Sequence, residues 1–216
     1  MKALTFYFDF LSPFSYFAWL ELSQREDVAL TFKPVALGPL LNHWGIKGPG
    51  EVTPKREFLL KQCLRFSAKN NIPFTTPKTH PFNSLYALRL SLKGVAGELQ
   101  AQVIATLWKA GWEKRMDMGE PEELLAALRG ANLPADELYE RSFSKEAKVE
   151  LKANIQEAIS HGVFGVPSML TEEGELFWGK DSLPELYDYL QGKDLLDRKR
   201  LEELLASTPR AAAQSL

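Results

Sequence analysis

The chain has 216 residues, of which 45% are hydrophobic and 25% are charged, and its net charge is −2. This composition is typical of a soluble globular protein with one ordinary domain, or with one domain that carries a large insertion. The small net charge provides no basic field for nucleic acid or an anionic membrane. The single cysteine, Cys63, excludes an intramolecular disulfide and any CxxC redox or zinc site.

No targeting or membrane segment is expected. The N-terminal MKALTFYFDF lacks the apolar core and cleavage site of a signal peptide, since Asp9 and Pro13 soon interrupt it. There is no uncharged apolar run of about 18 residues, the length that a membrane-spanning helix requires. We therefore expect a protein of a reducing compartment, the cytoplasm.

The first elements predict a β-α-β unit. Leu4 to Phe10 is short, apolar and rich in aromatic residues, which predicts a buried strand. Ser12-Pro13 predicts a helix start, because Ser is a favoured N-cap and Pro at the first helical position loses no hydrogen bond. That helix is predicted to run to about Arg25. Asp27 to Leu37 alternates apolar and polar residues, and a strand reached by such a crossover lies parallel to the first.

The middle of the chain is predicted to be helical after one loop. Gly38 to Val52 is rich in Gly and Pro and predicts an irregular loop. Helical spacing and start signals then predict helices from Thr53-Pro54, from Asn83-Ser84 to about Leu92, and at about 96–110, 120–130, 134–142 and 144–161.

Strand signals return after Gly162. Pro167–Thr171 and Glu175–Trp178 are apolar runs on either side of a Glu-Glu-Gly turn, which predicts a hairpin. Ser182 and Glu185 form a capping-box pattern before a further helix, and Lys193 to Leu216 is expected to be helix that frays into disorder. The two ends of the chain would then form one mixed sheet, interrupted by an insertion.

Three segments carry candidate chemistry. A helix N-terminus stabilises an anion, and the Ser12 hydroxyl can donate to a thiolate or an oxyanion there, although Ser12 can equally be a cap alone. A cis Val166-Pro167 bond would present the polar backbone groups of Val166 to an extended ligand. Asp181 and Ser182, ahead of a helix, could bind an ammonium and a carboxylate, or only cap.

No metal site is predicted. His43, His80 and His161 have no metal-like spacing, and Cys63 lies on the apolar side of its predicted helix. Nor does the chain contain a Walker loop, a GxGxxG after a strand or a GxSxG nucleophile elbow.

Taken together, FYFDFLSPFSY, VFGVPSM and FWGKDSL resemble 2-hydroxychromene-2-carboxylate isomerases. These are relatives of kappa-class glutathione transferases and of DsbA-type thioredoxin-fold proteins, and the likeness covers nearly the whole chain. It implies an α/β fold, a thioredoxin-like mixed sheet with a large all-helical insertion. Residues 1–37 and 163–216 would form the discontinuous thioredoxin-like domain, and residues 38–162 the helical insertion.

The resemblance also implies glutathione as cofactor and assigns the site residues. Ser12 stands at the place of the first cysteine of CxxC and Ser15 at that of the second, so Ser12 would be catalytic, and the Val166-Pro167 bond would be cis. The residues implied to hold glutathione are Ser12, Pro13, Val166, Pro167, Asp181 and Ser182. Lys47, in the loop that departs from the family, is our own candidate for a further anion ligand. Those implied to face the substrate are Phe14, Asn83 and Trp112. Two positions depart from the family: Ile46 replaces an Asn that helps hold glutathione or substrate, and Ser182 stands where Arg is common.

The implied reaction interconverts 2-hydroxychromene-2-carboxylate and trans-o-hydroxybenzylidenepyruvate, or a related aromatic 2-oxo acid, in aromatic hydrocarbon breakdown. The family also implies a homodimer. A kappa-like transferase that conjugates glutathione to electrophiles is one alternative. A non-catalytic thiol- or peptide-binding module is another, whereas a dithiol oxidoreductase is excluded by the absence of CxxC.

Overall fold

A four-stranded mixed sheet organises the chain. In the computed structural model, which describes residues 1–208, the strand order is β2-β1-β3-β4. Strand β1 pairs in parallel with β2 and antiparallel with β3, which in turn pairs antiparallel with β4. The strands are β1 (Lys2–Phe8), β2 (Val28–Pro34), β3 (Ser168–Thr171) and β4 (Leu176–Trp178). The predicted β-α-β unit and hairpin are thus both present.

Helices supply the rest of the architecture, most of them between β2 and β3. They are α1 (Pro13–Leu22), α2 (Leu37–Trp44), α3 (Thr53–Asn70), α4 (Leu85–Leu90), α5 (Lys93–Ala96), α6 (Gln100–Trp112), α7 (Pro121–Gly130), α8 (Ala135–Ser142), α9 (Lys145–Ser160), α10 (Leu183–Leu190) and α11 (Arg198–Ser207). The predicted helices of the middle segment are present, with ends displaced by a few residues. None of the helices described is both long and apolar enough to cross a membrane.

The prediction of an irregular loop over Gly38 to Val52 is wrong for its first part, which forms α2. Gly38 and Pro39 lie in the first turn, where backbone N–H groups have no intrahelical partner, so proline costs no hydrogen bond. Gly45 then ends the helix in the left-handed conformation, with φ of 66°. A short 3₁₀ turn, Pro49–Glu51, follows. Breaker residues therefore mark the two ends of a helix here.

Strand β1 is buried on both faces, which makes it the centre of the core. Phe6 and Phe8 stack at 5.5 Å between ring centroids, and Phe8 also lies 5.8 Å from the ring of Trp108 in α6. On the opposite face, Tyr7 belongs to a buried cluster with Leu40 of α2 and Ala158 of α9. Each such buried apolar side chain contributes roughly 1.5–3 kcal/mol. The strand that leads into the Ser12 turn is therefore held rigidly.

The chain divides into two compact units, Met1–Leu183 and a second that begins at Pro184. The first contains the sheet, α1 to α9 and all the candidate residues. The second contains most of α10 and the whole of α11, which has no buried residue. Of the predicted C-terminal segment, residues 209–216 lie outside the described part of the chain. The division at residues 37/38 and 162/163 stays a prediction about folding units.

Candidate functional site

Ser12 caps helix α1 at the end of the turn that follows β1. Its backbone is extended (φ −96°, ψ 112°), and its Oγ accepts a hydrogen bond from the Ser15 N–H at 3.2 Å. Pro13 occupies the first helical position, and the first turn contains no acidic residue. No carboxylate within that first turn therefore compensates the positive end of the helix dipole. Ser12 is 8% exposed, so its hydroxyl is only narrowly accessible.

The Val166-Pro167 segment lies directly opposite Ser12. The bond between these two residues is cis, as expected, and the Ser12 Oγ donates to the Val166 carbonyl oxygen at 3.4 Å. That distance is at the long limit for a hydroxyl donor, which prefers about 2.7–2.8 Å. The Ser12 proton is thus held weakly by the Val166 carbonyl and can turn to a better acceptor.

Two side chains from the helical middle of the chain hold the turn between β1 and Ser12. The Trp112 indole N–H donates to the Phe10 carbonyl at 3.0 Å, and His80 Nε2 donates to the Leu11 carbonyl at 2.9 Å. Burial lowers the pKa of His80, although its bond to Leu11 partly offsets this. The neutral imidazole is therefore favoured, with its proton on Nε2 because a carbonyl can only accept. The His80–Pro81 bond is also cis.

Asp9 is the one Asp, Glu, Lys or Arg that is buried among residues 1–208, and its carboxylate accepts three hydrogen bonds. Oδ1 accepts from the Leu11 N–H at 3.0 Å, while Oδ2 accepts from the Leu37 N–H at 2.8 Å and from the Ser84 hydroxyl at 3.2 Å. Burial raises the Asp9 pKa from 3.8 to about 6, even though the three hydrogen bonds lower it. Asp9 therefore links the Ser12 turn, the start of α2 and the cap of α4.

The Asp181-Ser182 segment is connected to Pro167 through Gly179. The Gly179 N–H donates to the Pro167 carbonyl at 2.9 Å, and the Gly179 carbonyl accepts from the Ser182 hydroxyl at 2.9 Å. Asp181 lies beside the same glycine, since its Oδ1 is 2.5 Å from where a Cβ of residue 179 would be. The Asp181-Ser182 segment is thus tied to Pro167 through one residue.

The substrate-side candidates are less uniform. Phe14 is half-buried in the first turn of α1, and Asn83 is exposed, with its Oδ1 accepting from the Leu85 N–H at 3.2 Å. Trp112 is only 1% exposed, so it meets the site through the Phe10 carbonyl. Lys47 is exposed, and no hydrogen bond or ion pair between it and the other candidates occurs in the described chain. The geometry thus groups Ser12, Val166 and Pro167 and leaves Lys47 apart.

An exposed aromatic pair lies next to the Val166-Pro167 segment. Phe164 and Trp178 have ring centroids 5.0 Å apart, and Trp178 is 52% exposed. Trp178 packs over Gly165, because a Cβ built on that glycine would lie 2.7 Å from the indole Nε1. A glycine at 165 is therefore required by close packing.

We expect Gly165→Ala to destabilise the protein by about 1 kcal/mol, since the added methyl must displace the Trp178 ring. Gly38→Ala is the matched control: the space around its Cβ is open, and alanine favours the helix by up to about 1 kcal/mol. Urea unfolding of the two variants should give shifts of opposite sign. Equal shifts would mean that Trp178 moves aside freely.

Sequence reasoning missed Asp9, Ser84 and the supporting role of His80. One signal was present for Asp9, because it is the only charged residue between Lys2 and Glu21 and lies in an otherwise apolar run. A carboxylate in such a run must be hydrogen-bonded when buried. Its partners at Leu37 and Ser84 are distant in sequence and carry no local signal.

The fold and the site together define a thioredoxin-fold protein in which a serine, not a redox cysteine pair, caps the first helix. The family model described as a DSBA-like thioredoxin domain matches residues 3–191, and the chain belongs to this family. The resemblance and the mixed thioredoxin-like sheet with a helical insertion are thereby confirmed.

Curated relatives align with this chain along nearly their full length. A 2-hydroxychromene-2-carboxylate isomerase of Sphingobium xenophagum is 30% identical over 194 residues, covering 88% of this chain and 98% of the relative. Glutathione S-transferase kappa 2 of Caenorhabditis elegans is 30% identical over 209 residues, covering 88% and 92%. A solved 2-hydroxychromene-2-carboxylate isomerase superposes with a TM-score of 0.79 at 24% identity, over 93% of this chain and 98% of that one.

Proposed function

We propose that the protein is a glutathione-dependent isomerase that interconverts 2-hydroxychromene-2-carboxylate and trans-o-hydroxybenzylidenepyruvate, or a related aromatic 2-oxo acid. The observation that carries the proposal is the Ser12 hydroxyl, which lies at the N-terminus of α1 opposite the Val166 carbonyl. The isomerase relative, 30% identical over nearly its entire length, supports the same reaction class.

The residues present suit a thiol tripeptide such as glutathione. Ser12 would face the thiol, and the backbone of Val166 would pair with the cysteinyl part. Asp181 and Ser182 would bind the γ-glutamyl ammonium and carboxylate, while exposed Lys47 is the remaining anion ligand we assign. The fit rests on the Ser12 hydroxyl and on the positive end of the α1 dipole, which both suit an anionic sulfur. When bound, glutathione supplies a nucleophilic thiol that adds reversibly to an activated double bond and is regenerated.

Ser12 can donate a hydrogen bond to the thiol sulfur without losing the hydrogen bond that it accepts. Its Oγ lone pair stays engaged with the Ser15 N–H, so the hydroxyl proton alone turns away from Val166. That proton and the dipole of α1 both favour a thiolate over a thiol, whose free pKa is about 8.5. Phe10 and Trp112 are buried behind the turn, and their low-dielectric surroundings strengthen the Ser12 interaction.

On the substrate side, Phe14 and Asn83 would contact the aromatic 2-oxo acid. Phe14 lies two residues beyond Ser12, in the first turn of the same helix. The Asn83 side chain is exposed and precedes Ser84, which is bonded to Asp9. Trp112 would act behind them through Phe10. Because the reaction is an isomerisation, the chain needs no second thiol, in keeping with serine at positions 12 and 15.

The direct test is an assay of the purified protein with 2-hydroxychromene-2-carboxylate, with and without glutathione. We expect approach to equilibrium with its product only when glutathione is present, and no loss of free thiol. Absence of turnover on this compound and on related aromatic 2-oxo acids, or turnover independent of glutathione, would reject the proposal.

A kappa-like transferase is the second candidate, favoured by the kappa relative that is 30% identical over 88% of this chain. A transferase consumes glutathione in proportion to product, so a halo-aromatic electrophile assayed for thiol loss separates the two reactions. Glutathione binding without turnover on either substrate would instead identify a non-catalytic binding module.

A further inference from the structure

We infer that Asp9 is the positioning residue of the site, which fixes the Ser12 turn against the starts of helices α2 and α4. For its catalytic consequence the inference rests on the proposed function, but its structural content can be tested without it. Nothing in the sequence pattern or in the resemblance assigns a role to this residue.

Asp9 fixes the turn before Ser12 through two hydrogen bonds. The Asp9 carboxylate accepts from the Leu11 N–H, and its backbone carbonyl accepts from the Ser12 N–H at 3.0 Å. A side chain bonded to the N–H two residues later is an Asx turn, which fixes the local backbone. Asp9 alone thus determines both hydrogen bonds made by the N–H groups of residues 11 and 12.

Asp9 also binds the start of α2. Its N-cap, Ala36, has no side chain that can cap, and the first helical N–H, that of Leu37, donates to Asp9 Oδ2. The carboxylate therefore acts as the cap from across the fold, where its negative charge is also favourable to the helix dipole. Removing it leaves the part-buried Leu37 N–H without this acceptor.

Asp9 binds the start of α4 as well. Ser84 stands at the N-cap position of this helix without a side-chain capping bond, is buried, and donates its hydroxyl to the same Oδ2 atom. Asn83, a substrate-side candidate, immediately precedes it. One carboxylate thus sets the relative position of Ser12 and Asn83, which lie 71 residues apart in the chain.

Other roles explain this arrangement less well. A buried carboxylate kept only for stability is unfavourable, since burying the charge costs more than its hydrogen bonds return unless all of its partners are in place. The three donors come from three segments that are distant in the chain and converge on one carboxylate. Placement of those segments is therefore the function that fits the contacts.

The experiment has two readouts, on Asp9→Ala, Ser84→Ala and the double variant, with Gln100→Ala as control. Gln100 is also buried, and its amide donates to the carbonyls of Phe32 and Ser91, away from the Ser12 turn. Native-state amide exchange on the ligand-free protein comes first. We expect the Leu11 and Leu37 N–H groups to exchange at least about tenfold faster in Asp9→Ala than global stability accounts for. In Gln100→Ala they should change only with global stability.

The second readout is isomerisation. A misplacement of about 1 Å can cost roughly 100-fold, so we expect Asp9→Ala to lower kcat/KM about 100-fold, mainly through kcat. Ser84→Ala should lose several-fold in the native background and nothing further in the Asp9→Ala background, because both act through one carboxylate. Additive losses, or unaltered Leu11 and Leu37 exchange, would overturn the inference.

Two provisions keep the test decisive. If Asp9→Ala does not fold, the nearly isosteric Asp9→Asn takes its place. Its single carbonyl oxygen cannot accept from all three donors, so we then expect faster exchange at Leu11 or at Leu37, whichever N–H faces the amide NH₂. If the unmodified protein shows no isomerase activity, the proposed function has failed, while amide exchange still decides the positioning role.

Discussion

Ser12→Ala is expected to lower kcat/KM for glutathione-dependent isomerisation by about 100- to 1,000-fold, the usual cost of removing one donor to a reacting anion. The loss arises because the variant lacks the Ser12 hydroxyl proton, which the structure directs from the start of α1 toward the Val166 carbonyl. The same variant should raise the pKa of bound glutathione, measured by the ultraviolet absorbance of its thiolate as pH is varied. Residual activity would come from the α1 dipole, which alanine leaves in place.

Ser15→Ala is the matched control for Ser12→Ala. Ser15 is buried, and its Oγ has no hydrogen-bond partner within residues 1–208, while the N–H that it gives to Ser12 is unaffected by the change. Its kcat/KM and bound-thiol pKa should match those of the unmodified protein. A Ser12→Ala enzyme with the thiol pKa and turnover of this control would remove Ser12 from the mechanism.

Local signals predicted the part of the site that depends on short-range structure. Ser12-Pro13 marked the α1 start because capping and proline preferences act within one turn, and the structure has this cap with its Ser15 N–H bond. The strands flanking the site were readable for the same reason, since each is a short apolar run between turn residues. The approach of Val166 to Ser12 came only from the family resemblance, since it joins residues 154 apart.

What local signals could not supply were the long-range contacts. The loop prediction over Gly38 to Val52 weighted Gly and Pro as breakers, whereas the Asp9 carboxylate, 28 residues before Leu37, caps the helix that forms there. A cap supplied from the turn after β1 has no trace in the sequence around the helix. The His80 contact is long-range too: its Nε2 bonds the Leu11 carbonyl, 69 residues away, in the turn that ends on Ser12.

In the proposed reaction, a serine would stand where the resemblance places the first cysteine of the disulfide oxidoreductases. Glutathione would supply the thiol, so the chain would need only to hold a donor and a helix end in a fixed place. Trp112 and His80 bind the carbonyls of Phe10 and Leu11, and Asp9 binds the Leu11 N–H. The turn is thereby held from both sides before any ligand arrives, which is the preorganisation that electrostatic catalysis requires.

Asp9→Asn is expected to remove a pH dependence of the free energy of unfolding that amounts to about 3 kcal/mol. This figure follows from the shift of roughly two units in the pKa of the fully buried Asp9 carboxyl. The Asp9 pKa is raised from 3.8 to about 6 because burial disfavours the carboxylate. The folded state therefore binds a proton more tightly than the unfolded chain, and stability is lost as the pH rises from about 4 through about 6. Asparagine does not titrate, so the advantage of the unmodified protein over Asp9→Asn should shrink by about 3 kcal/mol between roughly pH 3.5 and pH 7.

Urea unfolding of both proteins across that range measures the difference, with Asp27→Asn as a control of opposite sign. Asp27 is exposed, and the hydrogen bond from Arg25 lowers its pKa, so its contribution is present at neutral pH and is lost as the pH falls. The two variants should thus diverge from the unmodified protein at opposite ends of the pH range. If the difference in stability between the unmodified protein and Asp9→Asn is constant with pH, the pKa of Asp9 is not raised. The hydrogen bonds from Leu11, Leu37 and Ser84 would then outweigh the cost of burial.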